Sequence, residues 1–372
     1  MRVVVIGAGV YGAAVAAGLT RRGARVTVVD GGAPAMGTSG ATFSWVNACG
    51  KKPQVYHELA VAGMEAHRRL AAEAHYSDWY HETGNLEWAA DEAEQEKLRQ
   101  KVADGLARGY EVRWLTRAEA LRLEPGISPD RLPAAGIAYF PGEGWIEPTR
   151  LIGYLLAHAF ARGCELVRDD AVTGVEVTGG LVRAVHLASG RRLPADAVVN
   201  CAGPRAARIA DLAGLALPMR NTPGVVVCTS PAAVWISHVV HAPNVHLRPD
   251  GAGRLLLHTA RLDGTVGAAG TGEISGRQAA VGTLLADAGA LYPGLAGATV
   301  ESVRVGERPI PADGLPVLGR ARELPNFHFA VSHSAATLSV HAGDLVAAEV
   351  LGHDQDDVLA GFRVERFRPE RS

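Results

Sequence analysis

Lysine is scarce in this chain of 372 residues, limited to Lys51, Lys52, Lys97 and Lys101. There is no block of like charge and the formal net charge is −2, which argues against nucleic acid as a partner. The four cysteines, Cys49, Cys164, Cys201 and Cys228, form no C-x-x-C pair. A zinc site or redox dithiol is therefore not expected, and each cysteine reads as a small buried residue in a reducing compartment. No apolar run after the first helix is long enough to cross a bilayer. These absences point to a cytoplasmic globular protein with no transmembrane segment and enough chain for two domains.

What is present begins at the N-terminus. MRVVVIGAGVYGAAVAAGL carries no charge between Arg2 and Arg21, a span that would suit a signal peptide or a marginal membrane helix. The placement of glycine argues against both. Val3-Val4-Val5-Ile6 is β-branched, as a buried parallel strand requires. An Ala-rich helix runs from about Val10 to Arg22 and Gly23 ends it. A second strand, Val26 to Val29, leads into Asp30. The order is strand, G-x-G-x-x-G, helix, strand, acid, the context in which this glycine pattern binds a dinucleotide. Gly7 allows the tight turn, Gly9 the approach of a pyrophosphate, and Gly12 close packing of helix on strand. The helix N-terminus offers unpaired N–H groups to phosphate, and Asp30 stands where a ribose is held.

Further along, residues 54–78 have a helical pattern, and 79–88 look strand-like around Gly84-Asn85. Residues 90–108 predict a charged helix whose lysines are solvated. TRAEALRLE at 116–124 suits a short helix with Thr116 and Glu119 as a capping box. A helix follows from about Pro148 to Arg162, then a β-meander over 164–199 that ends in the buried strand Val198-Val199 and the small-residue turn Asn200 to Gly203. Residues 223–262 are strand-rich, 275–291 helical and 299–309 a strand. An apolar strand at 327–331 and an Ala/Val-rich helix at about 340–351 close the chain.

Four segments resemble the D-amino acid oxidase and glycine oxidase superfamily of FAD-dependent oxidoreductases. They are VVVIGAGVYGAAVA…VTVVD, GTSGATFSWVNACGKKP, DAVVNCAGPRA, and GERPIPADGLPVLG with NFHFAVSHSAATLSVHAGDLVAAEVLG. The resemblance implies an α/β (α+β) protein, with a Rossmann-like FAD-binding domain of the glutathione-reductase type. A second domain would be a mixed or antiparallel β-sheet. The implied boundaries are discontinuous: 1–85, 142–215 and 305–372 for FAD, and 86–141 with 216–304 for the substrate. FAD contacts would fall at Gly7, Gly9, Val10, Tyr11, Gly12, Asp30 and Gly31, and at Thr38, Ser39, Thr42 and Ser44. They would continue at Val172, Ala202 and Gly203, and at Ser334, Ala335, Ala336 and Thr337, where a helix N-terminus would face the flavin pyrimidine and stabilise charge on reduction.

Two departures from the family pattern matter. Some relatives attach FAD through a cysteine before the Arg-Pro motif or a histidine in the early loop. Here those regions read VGERPIP and GTSGATF, so noncovalent FAD is expected. Ser334-Ala335-Ala336 stands where relatives often have glycine, which narrows the approach to the flavin and bears on oxygen reactivity.

By family analogy the reaction is hydride transfer from the α-carbon of a neutral amine or amino acid to flavin N5, giving an imine that hydrolyses. Oxygen or another electron acceptor would then take the electrons. Catalysis of this kind is mostly positioning. Arg308 matches the family arginine that grips a substrate carboxylate, the alternative being a structural arginine closing the sheet. His246 stands three residues before Pro249 where relatives place an aromatic, the alternative being a solvent-facing strand histidine. His333 is an acid–base candidate. His238, His241, His246 and His258 lack an accompanying carboxylate or cysteine at ligand spacing, so no metal is expected. Lys51-Lys52, after the early loop, reads as a solvated turn, the alternative being a cation near the flavin. Two other functions remain open from sequence: a flavin kept as a structural or regulatory element, and a nicotinamide-dependent dehydrogenase.

Overall fold

A computed structural model describes residues 1–74, 77–266 and 274–368. The strand Arg2–Ile6, buried from Val3 onward, lies inside a six-stranded sheet. Its order is Val317–Ala321, Leu324–Val331, Ala197–Asn200, Arg2–Ile6, Arg25–Val29, Glu165–Val167. All neighbours are parallel except the edge strand Val317–Ala321, which pairs antiparallel with Leu324–Val331. Both faces are covered, as a parallel sheet requires. The opening helix Val10–Arg21 and the closing helix Ala335–Val350 pack together through small residues: a Cβ on Gly343 would sit 2.7 Å from Ala14 Cβ, and one on Gly18 would sit 2.9 Å from Ala347 Cβ.

The second large sheet has eight strands. Five of them, Val300–Arg308, Thr222–Thr229, Leu255–His258, His246–Pro249 and Val239–His241, run antiparallel in succession. Val239–His241 then pairs in parallel with Asn85–Glu87, and Ile137–Phe140 and Arg113–Leu115 complete the sheet. One face buries Leu86, Ile137, Val225, Val240, Leu247 and Leu257 under the helix Ile274–Leu291. The chain is thus an α/β protein built on a parallel nucleotide-type sheet and a mixed sheet. No helix among the described residues is long and apolar enough to cross a membrane.

Several expectations shift. The run 164–199 is not one meander: Glu165–Val167 joins the parallel sheet, Val172–Thr178, Leu181–Leu187 and Arg192–Pro194 form a separate antiparallel trio, and Ala197–Asn200 returns to the first sheet. The helix expected over 54–78 spans Gln54–Glu73, and residues 75 and 76 lie outside those described. The closing helix starts at Ala335, several residues before the Ala/Val-rich run but within the Ser334 to Thr337 stretch expected to hold its N-terminus. The capping box is present, with Glu119 N donating to Thr116 Oγ1 (3.3 Å) and Thr116 N to Glu119 Oε2 (2.7 Å).

Candidate active site

The glycine turn fits its expected use. Gly7 has φ +107°, and a Cβ there would lie 2.4 Å from the Cys201 carbonyl oxygen. A Cβ on Gly12 would lie 1.8 Å from the Gly7 carbonyl oxygen, so helix and strand touch backbone to backbone. Gly9 differs: a Cβ would meet only Ser39 Oγ, at 3.0 Å, which leaves its outer face open to a phosphate. Ser39 Oγ accepts from Val10 N at 3.2 Å, so the early loop caps the opening helix. Asp30 does more than the sequence suggested. Its Oδ2 accepts from Ala8 N (2.7 Å) and its Oδ1 from Gly32 N (2.9 Å), which staples the glycine turn to the second strand. Each oxygen keeps lone-pair capacity for a ribose hydroxyl.

Around this turn, a Cβ on Gly31 would sit 3.2 Å from Ala171 Cβ, next to Val172, which is buried with Ile6 and Val29. Ala202 N donates to Asn200 Oδ1 at 3.2 Å, and Gly203, at φ +55°, opens a single 3₁₀ turn facing the glycine loop. Tyr11 points the other way: its hydroxyl, buried, pairs with Ser332 Oγ at 2.8 Å. Only its backbone N–H, in the first helical turn, is placed for a phosphate.

A cavity of about 840 Å³ opens between the two large sheets. The early loop supplies Thr38, Thr42, Phe43, Ser44 and Trp45, the closing helix supplies Ser334 and Ala336 with His333 before it, and the mixed sheet supplies His241, His246, His258 and Arg308. Thr38 Oγ1 donates to Glu307 O at 2.5 Å, and Ser44, at φ +60°, turns back on Thr42 through its N–H and hydroxyl. Ala335 packs on the core instead, and Thr337 is buried, accepting from Asn47 N at 3.2 Å.

Arg308 is on the cavity wall and is also held. Its Nη1 donates to Pro223 O (2.6 Å) and its Nη2 to Asp263 Oδ2 (2.7 Å), with His258 Nε2 at 3.1 Å. Burial acts to raise the Asp263 pKa, but the bonds from His258, Val225 N and Arg308 outweigh it and keep the carboxyl below its ordinary range. His246 and His333 share the cavity with Arg308. Burial, with His258 and Lys101 nearby, takes His246 down to about 4. Burial, with Lys51 and Arg308 nearby, takes His333 down to about 4. Both rings are therefore neutral near pH 7.

Two lysines correct the sequence reading. Lys51 is not solvated: it lines the cavity, its Nζ donates to Ser334 Oγ (3.0 Å), and burial lowers its pKa to about 8. Tyr56 OH joins the same Ser334 oxygen at 2.6 Å. Lys101 is not solvated either, donating to Glu87 Oε2 at 2.6 Å and lying 5.4 Å from the Trp45 ring centroid. Lys52 does sit at the surface, paired with Asp104. The histidines also separate. His241, His246 and His258 cluster in the cavity, whereas His238 bonds Glu124 elsewhere. Among the described residues no group of three or more His, Cys, Asp or Glu is arranged to hold a metal. Phe43, Glu87 and Asp263 escape the sequence reading, which gives Trp45 as packing and weighs His241 only as a metal ligand.

The open face at Gly9, the stapled Asp30 and the cavity beyond them fit a flavin dinucleotide. Comparison with known proteins agrees. A family model described as FAD dependent oxidoreductase matches residues 2–349. The chain is 29% identical to glycine oxidase of Geobacillus kaustophilus (strain HTA426) over 379 residues, covering 98% of this chain and 96% of that protein. The crystal structure of glycine oxidase from Geobacillus kaustophilus superposes with a TM-score of 0.85 at 28% identity, covering 99% of this chain and 100% of that one. Iminodiacetate oxidase from Chelativorans sp. BNC1 gives 0.82 at 25% identity, covering 97% and 98%.

Proposed function

The chain belongs to the FAD dependent oxidoreductase family, and from that premise we propose that it oxidises the carbon–nitrogen bond of an amino acid or a carboxylate-bearing amine. The observation that carries this reading is Arg308 on the cavity wall, with Lys51 as a second half-buried cation that has no carboxylate bonded to it among the described residues. Arg308 commits one edge to Asp263 and keeps further N–H donors for a planar anion. Relatives named glycine oxidase and iminodiacetate oxidase support a substrate with amine and carboxylate together.

FAD, when bound, supplies the two-electron acceptor. The protein's contribution is positional. Gly9 and the first turn of the opening helix receive the phosphates. The start of the closing helix presents N–H groups to developing negative charge. Phe43, Trp45 and the neutral histidines wall the reacting carbon off from bulk water. His246 and His333 are neutral in the cavity at pH 7, consistent with a reaction that needs orientation more than proton transfer. The residue roles given to the glycine turn, the early loop and Ser334 to Thr337 belong to this proposal, as does noncovalent attachment. The four cysteines are free and buried, which supports a cytoplasmic setting.

Purified protein should be yellow and release intact FAD into the supernatant on acid precipitation. A panel of amino acids and amines, added without air, should include members that bleach the flavin. Readmission of oxygen then tells whether oxygen or another acceptor completes the cycle. Flavin that stays with the pellet rejects noncovalent binding, and a panel that bleaches nothing rejects amine oxidation.

A further inference from the structure

Behind the cavity wall lies a buried polar chain that the reading so far leaves unused. Glu143, Asn85 and His241 come from different segments and are all buried. His241 Nδ1 lies 2.7 Å from Asn85 Oδ1, and Asn85 Nδ2 donates to Glu143 Oε2 at 3.1 Å. Trp45 Nε1 donates to the same Oε2 at 3.0 Å, and Tyr110 OH donates to Oε1 at 3.0 Å.

With Glu143 ionised, the direction of every bond in this chain is fixed by chemistry. An indole N–H can only donate and both oxygens of an ionised carboxylate can only accept, so above about pH 7 Glu143 Oε2 accepts from Trp45 and from Asn85 alike. Asn85 therefore turns its NH₂ to Glu143 and its carbonyl oxygen to His241. That oxygen can only accept, so His241 carries its proton on Nδ1 and a lone pair on Nε2. Nε2 makes no hydrogen bond to any described residue, and His241 lines the cavity between Trp45 (ring centroids 4.3 Å apart) and His246 (4.5 Å). The nearby cavity cations are donors that suit a carboxylate. A neutral lone pair suits an N–H.

We propose that His241, locked in one tautomer by Asn85 and Glu143, accepts the amino N–H of the substrate at Nε2. The inference rests on the amine-oxidation reading and adds the group that recognises nitrogen. Arg308 holds the carboxylate end and His241 the amine end, so the two together set the rotation about the carbon–nitrogen bond. No proton moves: burial keeps the imidazolium far out of reach, and the ring serves as a fixed acceptor. Asn85 and Glu143 are positioning residues.

The test compares glycine with acetate, which lacks the nitrogen, as ligands of the FAD-loaded enzyme, followed by perturbation of the flavin spectrum without air. If glycine does not bleach the parent, the amine found by the panel and its des-amino carboxylate take their place. His241→Phe keeps a ring and removes the acceptor. It should weaken the amine about tenfold or more and leave the carboxylate within about twofold. Asn85→Leu frees the ring to change tautomer and should weaken the amine selectively, by less. Nitrogen-15 NMR of histidine-labelled parent protein should show His241 protonated at Nδ1. Equal weakening of both ligands, unchanged amine binding, or a proton on Nε2 in the parent would each overturn the proposal. If no amine bleaches the parent, the functional reading falls first and this proposal with it. Bleaching in the parent with undiminished amine binding in His241→Phe defeats the proposal alone.

Discussion

At the scale of single residues, the three glycines of the opening motif have separable jobs. Gly12→Ala would drive a methyl into the Gly7 carbonyl, so this variant should fail to give folded protein. At Gly9 the Cβ of a valine meets only the Ser39 hydroxyl, so Gly9→Val should fold and lose FAD. Flavin content and circular dichroism of the two variants separate the outcomes, and normal flavin in Gly9→Val would show that this loop does not hold the phosphates. Arg308 gives a second test. Lysine keeps the charge but not the planar fork. A charge-assisted bond contributes roughly 1.5–3 kcal/mol, so Arg308→Lys should lower kcat/KM for a carboxylate-bearing amine by on the order of ten- to a hundredfold, without change in flavin content. Undiminished turnover of such a substrate by Arg308→Ala would make this arginine purely structural.

Glu143 offers a pH signature. Burial raises its carboxyl from 4.5 to about 7, against the pull of Lys101 and Tyr110. Between those values the folded state holds a proton that the unfolded state has released, so the stability supplied by the neutral acid is lost as pH rises through about 7. Glu143→Gln cannot ionise. It should gain on the parent by on the order of 1–3 kcal/mol between pH 5.5 and 8, read from urea unfolding at each pH. A constant difference across that range would mean that Glu143 is already ionised at pH 5.5.

Between elements, the contact that matters most is the one carrying the start of the closing helix. Gly63, in the helix Gln54–Glu73, has no room for a Cβ: one would lie 2.5 Å from the Thr337 carbonyl oxygen. His67, one turn later, bonds the Ala336 carbonyl through Nε2 at 2.9 Å. Gly63→Ala should therefore push the Ser334–Thr337 turn off its seat, costing roughly 1–3 kcal/mol of stability, and weaken FAD retention in gel filtration. Wild-type FAD retention would mean that the turn relaxes without loss.

This is also where the sequence stops being readable. The glycine turn, the capping box and the buried strands announce themselves because steric need and periodicity are local. The cavity wall does not, because alternation along 239–258 marks two faces without saying which one meets the early loop. Lys101 was partly legible: Leu98 and Val102 mark the buried stripe of their helix, and Lys101, three residues after Leu98, lies beside it. Lys51 gave no local signal. It becomes a half-buried cation at the cavity only because the closing helix, nearly three hundred residues later, arrives above it. Asp263 was hidden for the same reason, being tied to Arg308 across strands far apart in sequence.

For the whole molecule, the chain crosses between the two large sheets repeatedly, and the cavity draws its walls from the mixed sheet, the early loop and the start of the closing helix. Binding of FAD to the folded state alone should therefore raise the midpoint of a single thermal transition, by about 2.7 kcal/mol in stability at a hundredfold excess over Kd. Calorimetry of apoprotein with increasing FAD checks this. Two transitions, of which only one responds to FAD, would show that the sheets melt independently.

The parallel sheet places Arg2–Ile6 between a strand that follows it at once and one from Ala197–Asn200, with Leu324–Val331 beyond. During synthesis the glycine turn leaves the ribosome some two hundred residues before the backbone that backs it, at Cys201. The Ser334–Ala336 floor of the cavity comes later still. A nascent chain thus carries a nucleotide motif with nothing to close it for most of translation. If Gly9 holds the phosphates as proposed, the complete FAD cradle forms only once the segment through Ala336 has docked.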